Sequence, residues 1–361
     1  MTDLSLAPSS SAGWADIVGR LGGAEALDVS ARLCGAFLRA REVKSAADLL
    51  RLILAYGPGG RSLRMTAAEA ALHGIADISD VSLLERFQRC PAWLTALCEK
   101  LLGSLGDQPR GDGPPIHLID GSRLEGPGQS CLRLHFCYDP ERQRIVDFAV
   151  TGLDQAEKLD RAAVRQGEIR IGDRAYRSPR ALRAVRNGGA DLLVRLSWKG
   201  LNLCDAAGLP LDWLARFTET ATVGRLDIPV TVRKARGAFE PLALRLVILP
   251  KPPEMAEKAR QTARRTAQKN QHKIDPRTIE AAGYLILLTS LDTKDYSADQ
   301  LGILYRVRWQ IELAIKRLKS ILRIDRLPAK DPELAKAWIL AHLLVALLID
   351  DAAAEMADIP P

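Results

Sequence analysis

Apolar residues recur at helical spacing through the first hundred positions of the chain. Turn signals such as Gly57-Pro58-Gly59-Gly60 separate the periodic segments. The predicted helices are 24–40, 45–55, 66–73 and 79–88. The last two are interpreted equally well as a helix-turn-helix or as part of an ordinary small bundle, because their spacing fits the motif only loosely. This region is therefore predicted to be all-α.

The pattern changes after a stretch rich in Gly, Pro and charge at 104–115, which is the clearest predicted domain boundary. Strand-like segments follow at IHLID, CLRLHFCYD and RIVDFAVTG, then a short predicted helix at 155–165 and the strand EIRIGD. Ser178-Pro179 begins a further predicted helix, and DLLVRL is a fifth strand. This order predicts an α/β fold, a mixed sheet covered by helices.

Short strands, GRLDIPVTVRKA and PLALRLVILP, then precede a strongly basic stretch at 251–277 and one more apolar strand, GYLILLTSL. We interpret this part as a β-rich insertion between the sheet and the closing helix. The predicted units are a helical N-terminal domain at 1–110, the first part of the sheet at 111–197, the β-rich insertion at 198–290, and the closing and C-terminal helices at 291–361.

The closing helix is predicted from one stretch, YRVRWQIELAIKRLK. Its polar residues Tyr305, Arg308, Glu312 and Lys319 fall within an arc of roughly 60° on an unbroken helix. An apolar set fills the neighbouring arc: Val307, Ile311, Ile315, Leu318 and Leu322. A carboxylate held beside a core by cations is typical of a metal-binding or phosphate-handling group.

Composition narrows the class of protein only a little. The net charge of +7 and pI near 9.1 favour a polyanionic partner. The six cysteines form no CxxC pair, which argues against zinc and for reduced, packed thiols. The N-terminus has no secretory pattern, and the longest apolar run, at 337–349, is too short to span a membrane. A cytoplasmic location and no membrane partner are the expectations.

Two aspartates, Asp120 and Asp173, are each predicted at the C-terminal end of an apolar strand, where ligands bind in sheets of this type. Glu312 can add a third carboxylate, and such a set suits Mg²⁺ or Mn²⁺. Two such ions about 3.5–4 Å apart can drive phosphoryl transfer. Taken singly, each aspartate is more often a turn former, and Glu312 more often belongs to a surface ion network with Arg308 and Lys316.

The order Asp, Asp, then Glu beyond an insertion resembles the DDE pattern of ribonuclease-H-like transposases. The closing helix matches the Y-x2-R-x3-E-x6-K signature of the IS-four family of bacterial insertion-sequence transposases, and IDGS and GDRAY are similar to the family's surroundings of its aspartates. The resemblance spans about residues 112 to 325. It implies a ribonuclease-H-like core and an enzyme that binds terminal inverted repeats, pairs two ends as a homodimer and transfers DNA strands with divalent metal.

The same resemblance assigns residues. It implies Asp120, Asp173 and Glu312 as catalytic metal ligands, and Tyr305, Arg308 and Lys319 as holders of DNA phosphates. In some members an aromatic residue before the closing helix stacks on a displaced base, for which Tyr284 or, by register, Leu285 is the candidate. The further DNA-contact candidates are Arg174, Arg264, Arg265 and Lys269.

The sequence also leaves open several ordinary structural roles and two rival functions. Trp309 and Trp338 are expected in the core, and His117 and His135 in packing or hydrogen-bonding roles. One rival function is a ribonuclease-H-like nuclease that cuts DNA without joining it. The other is a non-catalytic, element-derived DNA-binding protein.

Overall fold

The N-terminal region is a bundle of helices. The computed structural model describes residues 11–104, 113–233, 240–322, 324 and 326–357, so most of the predicted boundary at 104–115 lies outside it. The helices are α1 (Ser11–Arg20), α2 (Gly23–Leu33), α3 (Ala46–Tyr56), α4 (Leu63–Leu72), α5 (Asp80–Phe87) and α6 (Pro91–Ser104). The four predicted helices are confirmed, although α2 ends earlier than predicted.

Serine caps explain where three of these helices begin. The hydroxyls of Ser45, Ser62 and Ser79 each accept a hydrogen bond from the backbone N–H three residues later, which satisfies a donor that the helix leaves unpaired. The connection between α4 and α5 runs over residues 73–79. It is longer than the three- or four-residue turn of a helix-turn-helix, so the structure favours an ordinary bundle.

A single sheet of nine strands follows, in the order β3-β2-β1-β4-β5-β9-β8-β7-β6. Its strands are β1 (Ile116–Glu125), β2 (Cys131–Asp139), β3 (Arg144–Gly152), β4 (Ile169–Gly172), β5 (Asp191–Arg195), β6 (Asn202–Cys204), β7 (Leu226–Arg233), β8 (Leu242–Pro250) and β9 (Tyr284–Thr289). The pairs β1–β4 and β4–β5 are parallel, and the other pairs are antiparallel. The predicted mixed α/β fold is therefore confirmed.

The segment predicted as an insertion extends this same sheet. β9 pairs with β5, and β8, β7 and β6 continue outward from β9. The helices in the second half of the chain are α7 (Pro179–Asn187), α8 (Trp213–Val223), α9 (Pro253–Lys269), α10 (Pro276–Ala282), α11 (Ala298–Arg306), α12 (Trp309–Leu322) and α13 (Pro332–Ala357). The basic stretch at 251–277 forms α9 and the start of α10.

The predicted helix at 155–165 is wrong, because this segment is a series of turns. Arg170, which is 1% exposed, donates hydrogen bonds to the carbonyls of Leu159, Ala162 and Ala163. These contacts tie down carbonyls that a helix would pair internally. The fully buried Glu168 balances the guanidinium charge at 2.6 Å. A buried arginine thus orders the segment in place of a helical ladder.

Alternating residues of the strands face two separate cores. On β1, Leu118 packs with the N-terminal helices, α12 and α13, whereas Ile119 packs with α7 and α8 on the other face. Asp120 therefore shares the face of Leu118, toward which α12 packs with its fully buried Ile311. This alternation sets which helix meets the first aspartate.

The C-terminal helix α13 joins the N-terminal bundle to the sheet domain by packing on α3, α5, α6 and α12. Within it, the segment Pro332–Ala353 is long and apolar enough to cross a membrane by length and composition alone. The expectation that no segment reaches this length was wrong for that reason. Because 67% of its most apolar window is buried inside the protein, core packing accounts for these apolar side chains. Trp338, on this helix, is buried as predicted.

Candidate active site

The two aspartates lie abreast on neighbouring parallel strands. Leu118 pairs with Ile171 at the last rung of the ladder between β1 and β4, and each aspartate lies two residues beyond that rung. The predicted convergence of Asp120 and Asp173 is therefore what the strand register produces. The prediction that Asp120 ends its strand was wrong, because β1 continues to Glu125 by pairing with β2.

Asp120 is largely enclosed, with 18% of its side chain exposed. Its Oδ1 accepts the backbone N–H of Gly121 at 2.9 Å, and its Oδ2 accepts Nη1 of Arg308 at 3.2 Å. The pKa of Asp120 is raised to about 6, chiefly by burial and also by the charges of Asp173 and Glu312, while the Gly121 N–H and the Arg308 charge oppose the increase. The raised pKa of Asp120 thus results from its burial and from the neighbouring carboxylates.

Asp173 is held by a tight turn after β4. Its Oδ1 accepts the backbone N–H of Ala175 at 2.7 Å, and its carbonyl accepts that of Tyr176 at 3.2 Å. Tyr176 is buried beneath the turn. A Cβ atom at Gly172 would lie 2.9 Å from Cβ of Tyr176 and 3.0 Å from Cδ1 of Leu159, so only glycine fits there. The GDRAY segment thereby fixes the second aspartate through close packing.

The closing helix is not continuous, which corrects the sequence prediction. α11 ends at Arg306, residues 307 and 308 form a turn, and α12 begins at Trp309. The N–H groups of Val307, Arg308 and Gln310 bond to carbonyls three residues back, so the chain tightens to 3₁₀ geometry at the junction. The roughly 60° arc assumed an unbroken helix and does not hold.

The break places Arg308 between carboxylates. Its Nη1 contacts Asp120, and its Nη2 donates to Oε1 of Glu312, while only 14% of its side chain is exposed. Glu312 itself is 55% exposed in the first turn of α12. The charges of Asp120, Glu312 and Asp173 raise the pKa of Arg308 against the effect of burial. One guanidinium therefore links the first and third residues of the predicted trio.

The donor set suits a hard divalent cation. All three side chains supply carboxylate oxygens, and two of them lie in register at the sheet. Within the described ranges, however, no group of three or more His, Cys, Asp or Glu side chains is gathered closely enough to hold a metal ion. The guanidinium of Arg308 is the group that stands between them. The donor atoms are therefore of the kind that a hard divalent cation prefers, while Arg308 contacts two of the three carboxylates.

The remaining signature residues lie on either side of this cluster. Tyr305 is 8% exposed in the last turn of α11, and burial raises the pKa of its phenol. Lys319 reaches across to the sheet, where its Nζ lies 3.4 Å from the carbonyl oxygen of Arg123 on β1. In the apolar set Ile311 is buried, and Val307, Ile315 and Leu318 are partly buried against the same core. The side chain of Leu322 lies outside the described part.

A large cavity of about 1420 Å³ opens beside Arg308 and Glu312. It runs past Tyr305 to the face of α9 that carries Met255 and Lys258. Trp309, which was predicted in the core, is instead 56% exposed on its wall. Trp309 precedes Ile311 by two residues in α12, which is about 200° around the helix, so it faces away from the buried stripe.

A second cavity of about 570 Å³ adjoins the first, and Arg195 and Lys251 line both. Among the described residues, its lining includes no carboxylate and these four cations: Arg174, Arg195, Lys199 and Lys251. Burial, with the nearby charges of Arg195, Arg174 and Arg260, lowers the pKa of Lys251 to about 8. Such a lining attracts anions. Arg195 was missed from the sequence, since a single arginine ending an apolar strand carries no signal.

Other predicted DNA contacts differ in where they lie. Tyr284 is 8% exposed, with its ring stacked 5.1 Å from that of Phe217 and its hydroxyl donating to the Phe217 carbonyl. It contributes to the base of the smaller cavity but is not placed to stack on a nucleobase. Arg264, Arg265 and Lys269 are exposed on α9, and Arg264 also faces Glu257 at 3.5 Å. None of these three lines either cavity.

Two predicted histidines have structural roles, as expected. His117 Nδ1 contacts Glu168 in the buried cluster with Arg170, and His135 Nε2 lies 2.9 Å from Oγ1 of Thr151. Burial lowers the pKa of His135 to about 4. Neither histidine is near enough to join the carboxylates as part of a metal-binding group.

Comparison with known proteins places this site in a family. Residues 111–348 match the family described as Transposase DDE domain, and the chain belongs to the DDE transposases. It is 42% identical over 358 residues to the putative transposase InsL of insertion sequence element IS186A from Escherichia coli strain K12, with 96% of each chain covered. It is also 42% identical over 359 residues to the transposase of insertion sequence element IS421 from Escherichia coli, with the same coverage.

Family membership settles the broad function. The resemblance to insertion-sequence transposases seen in the closing helix is confirmed. The chain is a DNA transposase whose partner is DNA, in a family that generally uses divalent metal ions.

Proposed function

We propose that this transposase cuts and joins DNA strands at the terminal inverted repeats of its element, with Asp120, Asp173 and Glu312 as its catalytic carboxylates. The observation that carries the proposal is the parallel register that sets Asp120 and Asp173 abreast under α12. The core is then ribonuclease-H-like, with three antiparallel strands followed by two parallel ones. In this reading all three carboxylates bind Mg²⁺ or Mn²⁺.

The chemistry follows from the residue types. A bound divalent ion would lower the pKa of a water or 3′-hydroxyl and stabilise the leaving oxygen. The protein's part is to orient the scissile phosphate. Arg308 and Lys319 offer charge-assisted hydrogen bonds to phosphate oxygens, and Tyr305 offers a neutral one. Arg195 and Lys251 extend the cationic lining from Arg308 into the two cavities, which supports a path for the DNA backbone.

The N-terminal helices are proposed to hold the transposon end. A cleft of about 460 Å³ lies between the loop after α2 and helix α5. Its cations are Arg39, Arg41, Arg86 and Arg89, against the carboxylates Glu42 and Glu85. Arg86 pairs with Glu42 at 3.1 Å, which leaves an excess of positive charge toward solvent. That excess favours contact with DNA phosphates. A homodimer that pairs two such ends completes the proposal.

The direct test compares cutting with binding. Asp120→Ala, Asp173→Ala and Glu312→Ala should each reduce metal-dependent cleavage of repeat-bearing DNA by at least about 10³-fold. DNA affinity in a gel-shift should change little, because the cationic surfaces remain. A matched control is Asp154→Ala, which changes an exposed aspartate in the turn after β3. Wild-type cutting in any of the three variants would sink the assignment of that residue.

The DNA products of the reaction distinguish the two rival functions from transposition. A nuclease would release cut ends without joining a 3′-hydroxyl to target DNA. A non-catalytic DNA-binding protein would shift repeat DNA and leave it intact at every metal concentration. Joined products, with matched inverted repeats and a short target duplication around the element, support cut-and-paste transposition.

A further inference from the structure

The guanidinium of Arg308 lies between the first and third carboxylates of the proposed site. Two different nitrogens of one guanidinium contact Oδ2 of Asp120 and Oε1 of Glu312. The other oxygen of Asp120 already accepts the N–H of Gly121. Both carboxylate oxygens of Asp120 thus accept a hydrogen bond. The negative charges of Asp120 and Glu312 are balanced by an arginine of the protein itself.

The same guanidinium lines the cavity that the proposed function gives to DNA. Arg308 forms the wall of the 1420 Å³ space together with Tyr305, Arg195 and Lys258. A phosphate there would compete for Arg308, since arginine binds phosphate through two parallel N–H groups as well as it binds carboxylate. Arg308 lies in the turn between α11 and α12, where the backbone changes from α-helical to 3₁₀ hydrogen bonds.

From these contacts we propose that Arg308 is a latch: without DNA it blocks the carboxylate site, and a DNA phosphate draws it away so that metal can enter. The inference rests on the proposed function of the three carboxylates. Once the guanidinium leaves, Asp120, Asp173 and Glu312 repel one another, and a divalent cation relieves that repulsion. Metal loading thereby depends on bound DNA.

The latch has a thermodynamic signature. Two ligands that displace the same internal contact favour each other's binding, and the coupling must be reciprocal. Couplings of this kind are typically about 5- to 150-fold. In the wild type, DNA should tighten metal binding and metal should tighten DNA binding by the same factor. In Arg308→Gln both effects should be nearly lost, because the internal competitor is gone.

The experiment measures free Mn²⁺ by electron paramagnetic resonance in the full chain, with and without a short duplex of unrelated sequence. Duplex alone is titrated as a blank. We expect the duplex to tighten Mn²⁺ binding to the wild type by about tenfold. Arg308→Gln should bind Mn²⁺ about tenfold more tightly than wild type without DNA, and should gain less than twofold from the duplex. Arg317→Gln is the matched control, because Arg317 is exposed on α12 and lines neither cavity, and it should leave Mn²⁺ binding as in the wild type under both conditions.

Several results would overturn the latch. Arg308→Gln could bind Mn²⁺ no better than wild type, which would mean that Arg308 organises the carboxylates rather than blocks them. Equal Mn²⁺ affinity of the wild type with and without duplex overturns the latch alone, and needs no variant to fold. Absence of Mn²⁺ binding in the wild type under both conditions overturns the metal site and the latch together. Asp173→Ala, which should lose Mn²⁺ under both conditions, marks the signal that belongs to the site.

Discussion

The two sides of the candidate active site are built in different ways. Asp120 and Asp173 are fixed by a backbone ladder and by the packing of Gly172 against Tyr176. Glu312 is more than half exposed and reaches the same place through a side-chain contact with Arg308. One side is therefore rigid before any ligand arrives, whereas the other can rearrange. We infer that the strands fix the position of the reaction, whereas the helix junction determines when Glu312 is available for it.

The largest expected effect comes from disturbing the rigid side. Gly172→Ala places a Cβ atom 2.9 Å from Tyr176, so the turn that carries Asp173 must shift. Overpacking of this kind costs about 1–3 kcal/mol in unfolding free energy. A misplaced carboxylate should also lower cleavage by about 100-fold.

Chemical denaturation and a cleavage assay together measure both effects. Gly19→Ala is the control, because a Cβ atom there meets nothing within 4 Å in α1. That variant should gain stability, by up to about 1 kcal/mol. If Gly172→Ala kept full stability and activity, the rigidity assigned to this side would be wrong.

The next effect concerns the pH dependence of stability. The pKa of Asp120 is raised from 3.8 to about 6, so the folded chain holds a proton that the unfolded chain has released in this interval. The unfolding free energy should therefore fall as pH rises from about 4 to 6, by roughly 3 kcal/mol at most. Below that interval the penalty disappears, because the carboxyl is protonated in both states.

Asp120→Asn isolates this contribution. Urea unfolding of both proteins between pH 4 and pH 7 should show the wild type losing stability relative to the variant as pH increases. The contact with Arg308 is already included in the raised pKa, because it favours the ionised form of Asp120 and so makes the loss of stability smaller than burial alone would produce. Parallel curves for the two proteins would contradict the raised pKa of Asp120.

The smallest expected effect concerns DNA binding by the two cationic cavities, which the proposed function assigns to DNA. Lys251 lines both cavities, and its pKa near 8 leaves it charged at pH 7. Lys251→Met should lower DNA affinity modestly and reduce the slope of log affinity against log salt by about 1. Raising the pH to 9 should reduce the slope of the wild type in the same direction. Lys294→Met, an exposed lysine that lines neither cavity, should leave the slope unchanged.

The contrast also explains what the sequence could and could not predict. The apolar strand patterns that end near Asp120 and Asp173 predict a parallel pair of strands. This prediction is possible because the pattern of a strand is local and the topology of such sheets is regular. The neighbouring positions of Asp120 and Asp173 could therefore be predicted from the sequence. The break at residues 307 and 308 has no proline or glycine to announce it, so the single-helix prediction failed.

Other failures come from tertiary contacts of single side chains and strands. The segment at 155–165 has helical composition, but Arg170 on the following strand, β4, binds its carbonyls. Arg195 joins the cationic cavity only because β9, far along the chain, pairs with β5. Neither contact leaves a local pattern. Tyr284 is buried in the same way by Phe217, whose ring it stacks on and whose carbonyl it binds.

The claim that Asp120, Asp173 and Glu312 bind one catalytic metal centre is tested most directly by changing its ligand atoms. Each residue is replaced in turn by cysteine, and cleavage of repeat-bearing DNA is measured with Mg²⁺ and with Mn²⁺. Thiolate is a poor ligand for Mg²⁺, so a true ligand position should lose activity with Mg²⁺ and recover part of it with the softer ion. We predict this pattern at all three positions. Equal activity of a variant with both metals, at the wild-type level, would show that its carboxylate does not bind the catalytic metal.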